Sequence, residues 1–332
     1  MATTFKGRLY ASQRLAWLAA VAVASLACIP LSFAQSASEF RRTFSVSVTE
    51  PLTLDVELLS GDVQILYGRE GQVSISGVAR ASAGTRLDDN FLASVLSIEQ
   101  AGNHLTVRHV TNPPHPGGGV SGLYRIDVPY RTQVTSRLNQ GKQNISGIMG
   151  PVTATTGKGD IRASYISKGL QAQVDFGNLD VQVIGEHVEA KTGSGNIFCA
   201  RAEHGVTAET GEGDINLMVV GPSTATVKRG NGRINLGGAR GSFIGSTDEG
   251  DLQVKAIPHD DWQLASGSGN IRLELPPFAR FELEASTITG ELEVDRDDIA
   301  KPTVNVRQLC QTINGGSKRI EVRTASGRIV IR

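Results

Sequence analysis

The sequence is poor in cysteine and has no net charge, and each of these features excludes a class of protein. Three cysteines in 332 residues cannot build a disulfide framework, and no Cys-x-x-Cys or Cys/His metal pattern is present. Lysine plus arginine equal aspartate plus glutamate at 33 each. The chain therefore lacks the basic surplus typical of nucleic-acid binding, and no nucleic-acid partner is predicted.

Glycine and apolar residues are abundant. The 38 glycines exceed the usual share of roughly 7%, which indicates many tight turns. Apolar residues make up 39% of the chain, which is enough to build a core.

The first 34 residues have the pattern of a secretory signal peptide. Lys6, Arg8 and Arg14 precede an apolar run over 15–29, and residues 32–34 (Ser-Phe-Ala) resemble a cleavage site. We therefore expect cleavage between Ala34 and Gln35 and an exported mature chain, in the periplasm, at the outer membrane or on the cell surface. No later segment predicts a transmembrane span.

Two other interpretations of this segment remain open. An uncleaved anchor helix is disfavoured because the apolar run is shorter than the roughly 20 residues that span a bilayer, and Pro30 interrupts its end. A lipid-attachment site at Cys28 is also disfavoured, since Ser25 stands where such sites usually carry leucine.

A short motif recurs through most of the chain: glycine, usually Asp or Asn, then an aliphatic residue. Its glycines are Gly159, Gly177, Gly195, Gly213, Gly232, Gly250 and Gly269. Its aliphatic residues, each two positions later, are Ile161, Leu179, Ile197, Ile215, Ile234, Leu252 and Ile271. Successive copies are 18 or 19 residues apart, a period that indicates a repeat architecture.

Less regular copies flank this set. We align Asn144-Ile145 as the first variant copy, with Gln143 in the glycine position. Later copies are expected at Leu292 and Ile329, 37 residues apart, with one degenerate copy between them.

A second apolar position lies nine residues before most of these aliphatic residues. It holds Val152, Leu170, Val188, Val206, Ala225, Phe243, Trp262 and Ile320. Apolar and polar residues alternate around both positions, so each period predicts two short strands with one buried face. Alanines at 154, 172, 190 and 208 predict a thin core on the second strand.

These features predict an all-β, right-handed parallel β-solenoid with about 18 residues and two short strands per coil, because short strands find a core by stacking on the next repeat. An antiparallel sandwich is the alternative, but it requires no fixed 18-residue phase. We assign 1–34 to a signal peptide, 35–130 to a β-rich entry and capping module, and 131–332 to solenoid repeats with closing coils. A short helix is expected within 88–100.

The polar residues of the motif are expected to serve the turn. Glycine allows positive φ or close backbone approach, and the adjacent Asp or Asn is expected to hydrogen-bond its own turn backbone. Asn residues and Arg233 separate the carboxylates along the stack.

Four stretches resemble the bacterial putative-adhesin family, a domain of unknown function found in envelope proteins. They are Ile126-Asp127-Val128-Pro129, Thr192 to Ile197, Leu273 to Pro276 followed by Thr287 to Gly290, and Arg323 to Ile329. The resemblance covers about 44–332 and implies a secreted or envelope-associated β-solenoid. It implies no catalytic residues.

The sequence supplies few candidates for chemistry. Acids grouped on adjacent coils could serve a carbohydrate-active enzyme, and the candidates are Asp160, Asp180, Asp214 and Glu212. Asp160 and Asp214 already have a turn role, so no catalytic residue is predicted. Phe198 is the one aromatic residue expected beside the repeated aliphatic positions on the outer face.

Metal and cofactor sites are not predicted either. Residues 192–200 lack the double glycine and regular Asp of calcium-binding β-rolls. His187 and His204 are expected to approach each other on adjacent coils, but no third zinc ligand stands at a suitable spacing. No glycine-rich phosphate loop lies between a strand and a helix.

We therefore predict a non-catalytic, exported, adhesin-like interaction module that contacts an envelope protein or surface component. Two alternatives stay open: a carbohydrate-active β-helix enzyme, and a periplasmic partner in envelope-stress signalling. Whether Cys199 and Cys310 form a disulfide is also open.

Overall fold

The computed structural model describes residues 37–47, 50–80, 96–110, 121–228, 232–300 and 306–332. The predicted signal peptide and the proline-rich stretch 112–119 lie outside these residues, as does most of the helix expected within 88–100. The described part of that stretch, residues 96–100, is a β-strand, so no helix lies there, and a short helix before residue 96 stays a prediction.

All regular structure in the described residues is β-strand. In chain order the strands are β1 (Ala37–Ser45), β2 (Leu52–Ser60), β3 (Asp62–Tyr67), β4 (Gln72–Arg80), β5 (Leu96–Ala101), β6 (His104–His109), β7 (Ser121–Val128), β8 (Thr132–Gln140), β9 (Gln143–Ile148), β10 (Val152–Lys158), β11 (Ile161–Ile166), β12 (Leu170–Phe176), β13 (Leu179–Ile184) and β14 (Val188–Ser194). They continue as β15 (Ile197–Ala202), β16 (Val206–Glu212), β17 (Ile215–Val220), β18 (Ser223–Val227), β19 (Ile234–Ala239), β20 (Phe243–Thr247), β21 (Leu252–Lys255), β22 (Trp262–Ser266), β23 (Ile271–Glu274), β24 (Phe281–Thr287), β25 (Leu292–Val294), β26 (Gln308–Ile313), β27 (Arg319–Thr324) and β28 (Ile329–Ile331).

The strands form two sheets of fourteen, and each coil gives one strand to each sheet. The front sheet has the order β1-β4-β7-β3-β9-β11-β13-β15-β17-β19-β21-β23-β28-β25, and the back sheet β26-β24-β27-β22-β20-β18-β16-β14-β12-β10-β8-β2-β6-β5. Pairing is parallel throughout the central coils, which confirms a parallel β-solenoid. Its right-handed sense stays a prediction.

The repeated aliphatic residues form a buried column in the front sheet. Ile161 pairs with Leu179, Leu179 with Ile197, and Ile197 with Ile215. The column continues through Ile234, Leu252 and Ile271, and every member is at most 1% exposed. At roughly 25 cal/mol per Å² of apolar surface removed from water, this burial is what holds successive coils together.

The first repeat is shifted from the alignment that we expected. Gln143, not Ile145, pairs with Ile161, and Gly141 takes the glycine position with φ 135°. Our assignment of Gln143 to the glycine position is therefore wrong by two residues. The buried Gln143 amide donates to the Thr155 carbonyl and to the Thr156 hydroxyl, so a polar residue can stand in an aliphatic column.

The back sheet also departs from the expected alignment at one coil. Ser223 pairs with Val206, whereas Ala225 continues the alanine column. The predicted place of Ala225 was again two residues out. Further along, Phe243 and Trp262 are fully buried and widen the core. Gly245 leaves room for Phe243, because a Cβ there would lie 2.9 Å from its ring.

The N-terminal region builds coils of its own. β2 and β3 pair in parallel with β8 and β9. Outside them, β6 and β7 form a further coil on β2 and β3. Strands β1, β4 and β5 then add antiparallel pairs at this end, and such pairs cover edges that would otherwise invite association. The described residues between 37 and 332 form one compact unit.

The C-terminal end closes out of sequence order. The final strands β27 and β28 insert between β22/β23 and β24/β25, so Ile329 lies between Ile271 and Leu292. The antiparallel strand β26 covers β24. The degenerate copy expected between Leu292 and Ile329 is therefore wrong, since the intervening chain forms this covering strand.

The motif glycines are required by close backbone stacking. At Gly177, φ is 146°, and a Cβ would lie 1.9 Å from the carbonyl oxygen of Gly159 one coil earlier. The same clash recurs at Gly159, Gly195, Gly250 and Gly269. No side chain fits in this column.

Buried hydroxyl groups lie beside the glycine column. Thr192 and Thr210 donate to the carbonyls of Gly177 and Gly195. Ser266 and Thr324 donate in the same way to the carbonyls of Gly250 and Gly269, and these two residues are paired in space although they are distant in the chain. The sequence signal is a Thr or Ser three residues before the glycine, which our sequence analysis missed.

His109 lies buried in the N-terminal part of the solenoid. The Leu59 N–H donates to its Nδ1 atom at 3.1 Å, so the proton of the neutral ring is on Nε2, which lies 3.0 Å from the Tyr124 hydroxyl. Burial lowers the pKa of His109 from 6.5. Protonation would set a new N–H against the Leu59 N–H, so the folded protein favours the neutral ring.

We therefore expect the free energy of unfolding to fall as the pH drops below about 6.5. The unfolded chain binds this proton before the folded chain does, so stability is lost from the unfolded pKa down to the lowered folded pKa. Urea unfolding at pH 7.5 and 5.5 should show this fall. In His109→Gln the free energy of unfolding should fall less between these two pH values. An equal fall in both proteins would contradict the prediction.

A column of residues with positive φ runs along the bend of the front-sheet strands. Tyr165, Val183, Arg201 and Val219 have φ between 53° and 58°. This region is unfavourable for valine in particular, whose branched Cβ clashes with the backbone. The strands therefore carry local strain at their outer corner.

Val219→Asn is expected to stabilise the protein by about 1 kcal/mol, because asparagine tolerates the left-handed region. Val330→Asn is the matched control, since Val330 is half-buried in a strand without positive φ. There valine favours the strand, so the control should be neutral or destabilising. Chemical denaturation of both variants would test this, and a destabilised Val219→Asn would refute it.

Candidate functional site

A groove of about 570 Å³ lies on the outer face of the front sheet, over the first coils. Polar side chains from successive rungs form its floor, and they come from the turns before the strands and from the outward positions within them. The lining includes Asp62, Lys142, Asp160, Arg162, Asp180, Gln182 and Phe198. Because the rungs repeat at about 4.8 Å, equivalent side chains from different coils form rows along the groove.

The turn residues form a continuous chain of hydrogen bonds between coils. The Asn178 N–H donates to the Asp160 carboxylate, the Asn196 N–H to Asn178, and the Asp214 N–H to Asn196, at 2.8–3.0 Å. The Arg233 N–H then donates to Asp214. We expected bonds within each turn, and this was wrong: each side chain reaches the next coil, because the stacked turn brings that N–H above it.

Asp160 is held by a backbone N–H and by a lysine. The N–H of Asn178 is the main cause that lowers the pKa of Asp160, and Lys142, whose Nζ lies 3.2 Å away, lowers it further. Such a group stays ionised and cannot act as a general acid near neutral pH. Its role is to join coils.

Asp180 is also engaged. The Arg162 Nε donates to it at 2.9 Å, and the Gln182 amide donates to its other oxygen at 2.8 Å. The structure thus brings Asp160 and Asp180 into one groove, whereas Asp214 and Glu212 do not line it. Asp160 and Asp180 both accept hydrogen bonds from N–H donors, so neither stands in the apolar environment of a general acid.

Phe198 lies on the outer face, as expected, beside Asp180 and Asn216 on the neighbouring rungs. Three exposed aromatic residues that sequence analysis did not single out lie at the other end of the same strands. They are Tyr67, Tyr130 and Tyr165. They come from three separate segments, so no sequence spacing links them.

The remaining candidates are separated or already bonded. The His187 Nε2 lies 3.2 Å from the Thr207 hydroxyl, and the His204 Nδ1 lies 2.5 Å from the Gly185 carbonyl. Within the residues that the structure describes, no three His, Cys, Asp or Glu side chains group as metal ligands do.

Cys199 and Cys310 are both free thiols, so they form no disulfide with each other. Burial raises the pKa of Cys199 to about 12, and this side chain behaves as a small apolar core residue. Cys310 is exposed on β26.

Among the described ranges, no helix has the length and hydropathy needed to cross a bilayer.

Comparison with known proteins gives one family match. Residues 55–332 match the model of the family described as Toastrack DUF4097. No curated protein matches the chain.

Three solved structures are distantly similar. A putative cell adhesion protein from Clostridium sporogenes is 11% identical, with a TM-score of 0.24, covering 89% of this chain and 99% of its own. A putative adhesin from Bacteroides fragilis is 13% identical with a TM-score of 0.30, covering 90% and 99%. A putative lipid binding protein from Parabacteroides distasonis is 14% identical with a TM-score of 0.42, covering 90% and 98%. At these scores none of them indicates what this chain binds.

Proposed function

Since the chain belongs to the Toastrack DUF4097 family, we propose that it is an exported, non-catalytic scaffold of the cell envelope that binds a partner through the outer face of its front sheet. Export is supported by the segment 1–34, with its basic start, apolar run and small residues at 32–34. The family model begins at residue 55 and leaves this segment outside the match.

The observation that carries the non-catalytic assignment is the bonding of the groove carboxylates. Asp160 accepts from a backbone N–H, and Asp180 from a guanidinium and an amide. These bonds join neighbouring coils, and the lowered pKa of Asp160 keeps that carboxylate ionised. A polar face of parallel strands on a rigid frame suits binding, because binding residues are already in place before a partner arrives.

Cell fractionation and N-terminal sequencing would test export. An epitope-tagged full chain should appear in the envelope fraction with Gln35 as its first residue. Val21→Asp interrupts the apolar run and should leave the chain uncleaved in the cytoplasm. A wild-type chain that stays uncleaved in the cytoplasm would refute the export proposal.

Assays with a polysaccharide panel would test the absence of catalysis. Purified mature protein should release no reducing ends. Activity that is lost in Asp180→Asn, with unchanged circular dichroism, would support the carbohydrate-active alternative instead. Crosslinking in intact cells should capture an envelope component on the front sheet, and capture of an inner-membrane signalling protein would favour the sensory alternative.

A further inference from the structure

Three exposed tyrosines lie together at the outer corner of the front sheet. Tyr67 is 52% exposed at the end of β3, Tyr130 is 41% exposed after β7, and Tyr165 is 65% exposed in β11. Large aromatic side chains normally bury most of their surface. Three exposed ones in one place indicate a contact surface.

The strand register fixes the spacing of two of these tyrosines. Leu66 pairs with Ser146, and Ser146 pairs with Ser164, so Tyr67, Gly147 and Tyr165 follow on three successive rungs. With rungs about 4.8 Å apart, the two tyrosines are rooted roughly 10 Å from each other. Gly147 lies between them and has no side chain.

The glycine at this rung keeps the gap open. Gly147 has φ 75°, but the next coils hold Tyr165, Val183 and Arg201 at the same corner with positive φ. Positive φ therefore does not by itself require glycine here. A Cβ on Gly147 would lie 2.9 Å from the Cβ of Tyr67, so a side chain would both crowd Tyr67 and fill the space beside Tyr165.

Tyr130 forms a fixed wall against Tyr67. The two rings meet edge to face, with centroids 5.8 Å apart and planes at 81°. The Tyr130 N–H donates to the Glu70 carboxylate at 2.9 Å, and the Tyr130 hydroxyl lies 3.4 Å from the Ser167 hydroxyl. A ring that is held from both ends loses little conformational entropy when a ligand binds.

The chemistry around the gap is aromatic and hydroxylic. Ser164 donates to Ser146 at 3.0 Å on the rungs beside the gap, and Ser167 lies at the Tyr130 hydroxyl. The one carboxylate bonded to this cluster, Glu70, already accepts a backbone N–H. Aromatic rings cover the C–H face of a sugar, and hydroxyls bond its rim as donors and acceptors.

We propose that Tyr67, Tyr130 and Tyr165, with Gly147 as the floor, form a slot that binds one neutral sugar ring of a glycan. The inference rests on the proposed envelope-binding function and names its ligand class. A gap of about 10 Å admits one ring between two others, because carbon atoms pack at about 3.5–4.0 Å on each side.

Isothermal titration of the mature protein with cellohexaose, maltohexaose, laminarihexaose and chitohexaose tests the slot. At least one of these should bind, and Tyr165→Ala should weaken it by about tenfold or more. Tyr165→Phe should keep the affinity within about twofold, since the ring remains. Phe176→Ala removes an exposed aromatic ring, 59% exposed, on the back sheet, and should have no effect.

Gly147→Asn supplies a second variant, because asparagine tolerates positive φ and its side chain crowds Tyr67 and fills the gap without removing any of the three rings. It should also abolish binding, with circular dichroism unchanged. No binding of any of the four probes, or binding that Tyr165→Ala and Gly147→Asn leave intact, would overturn the slot. Envelope localisation and crosslinking would still stand in that case, so the two proposals fail separately.

Discussion

Replacing Gly177 by alanine is expected to lower the free energy of unfolding by about 2–6 kcal/mol, the sum of backbone strain and overpacking. The new Cβ would lie 1.9 Å from the Gly159 carbonyl oxygen, and the backbone at φ 146° is one that alanine rarely adopts. Neither partner can move away alone, because each glycine N–H also bonds the adjacent coil, as in the bond from Gly177 to Ser194.

Gly237→Ala is the matched control for this prediction. Gly237 lies within a front-sheet strand and not in a stacked turn, it has no positive φ, and the nearest atom to a Cβ there is 3.9 Å away. Its free energy of unfolding should lie within about 0.5 kcal/mol of that of the wild type. Urea denaturation followed by circular dichroism measures both, and equal stability of the two variants would show that the glycine column does not limit stacking.

Trp262→Ala is expected to cost about 3–5 kcal/mol, the usual range for removal of a buried aromatic side chain. Trp262 is fully buried between Phe243 and Ile320 in the back sheet. Its indole N–H donates to the Gly241 carbonyl at 3.0 Å, which would lose that partner. The effect should concentrate in the C-terminal coils, because each coil of a solenoid contacts only its neighbours.

Phe278→Ala provides the comparison, since Phe278 is 69% exposed and its removal should change stability by less than about 0.5 kcal/mol. Unfolding should be followed by circular dichroism and not by tryptophan fluorescence, because Trp262 is one of only two tryptophans in the sequence and the variant removes it. Hydrogen exchange should locate the loss between β20 and β28. Uniform loss of protection across all coils would contradict nearest-neighbour stacking.

The sequence predicted the solenoid because its aliphatic residues recur at a fixed phase. Where the phase was regular, from Ile161 to Ile271, the alignment agrees with the register of the front sheet. Where the phase was irregular, as in the first coil, the sequence pattern did not predict the register. Gln143 is polar, so it was not placed in an aliphatic column, yet its amide finds bonds inside.

The two ends were less predictable because space order and chain order differ there. The insertion of β27 and β28 between earlier coils depends on which edge remains open after β24 forms, and a linear repeat pattern holds no information on that. The covering strand β26 likewise depends on an antiparallel partner that is more than twenty residues away in the chain.

The groove and the tyrosine slot differ in how far sequence could predict them. The rows of Asp160, Asn178 and Asn196 follow from the repeat, although their bonds to the next coil did not. Tyr67 and Tyr130 lie outside the regular repeats, and Tyr165 reaches the corner through a positive-φ bend. Only the folded register brings them together.

Crosslinking between coils tests stacking and register most directly. With Cys28 and Cys310 changed to serine, Ser146→Cys plus Ser164→Cys should form a disulfide, because the two residues are paired and their hydroxyls lie 3.0 Å apart. Ser146→Cys plus Arg162→Cys should stay reduced. These two residues would be paired only if Ile145, and not Gln143, lay opposite Ile161, as the sequence alignment predicted. Mass spectrometry of the oxidised proteins decides: a bond in the first pair alone supports the solenoid described here, and a bond in the second pair, or in neither, contradicts it.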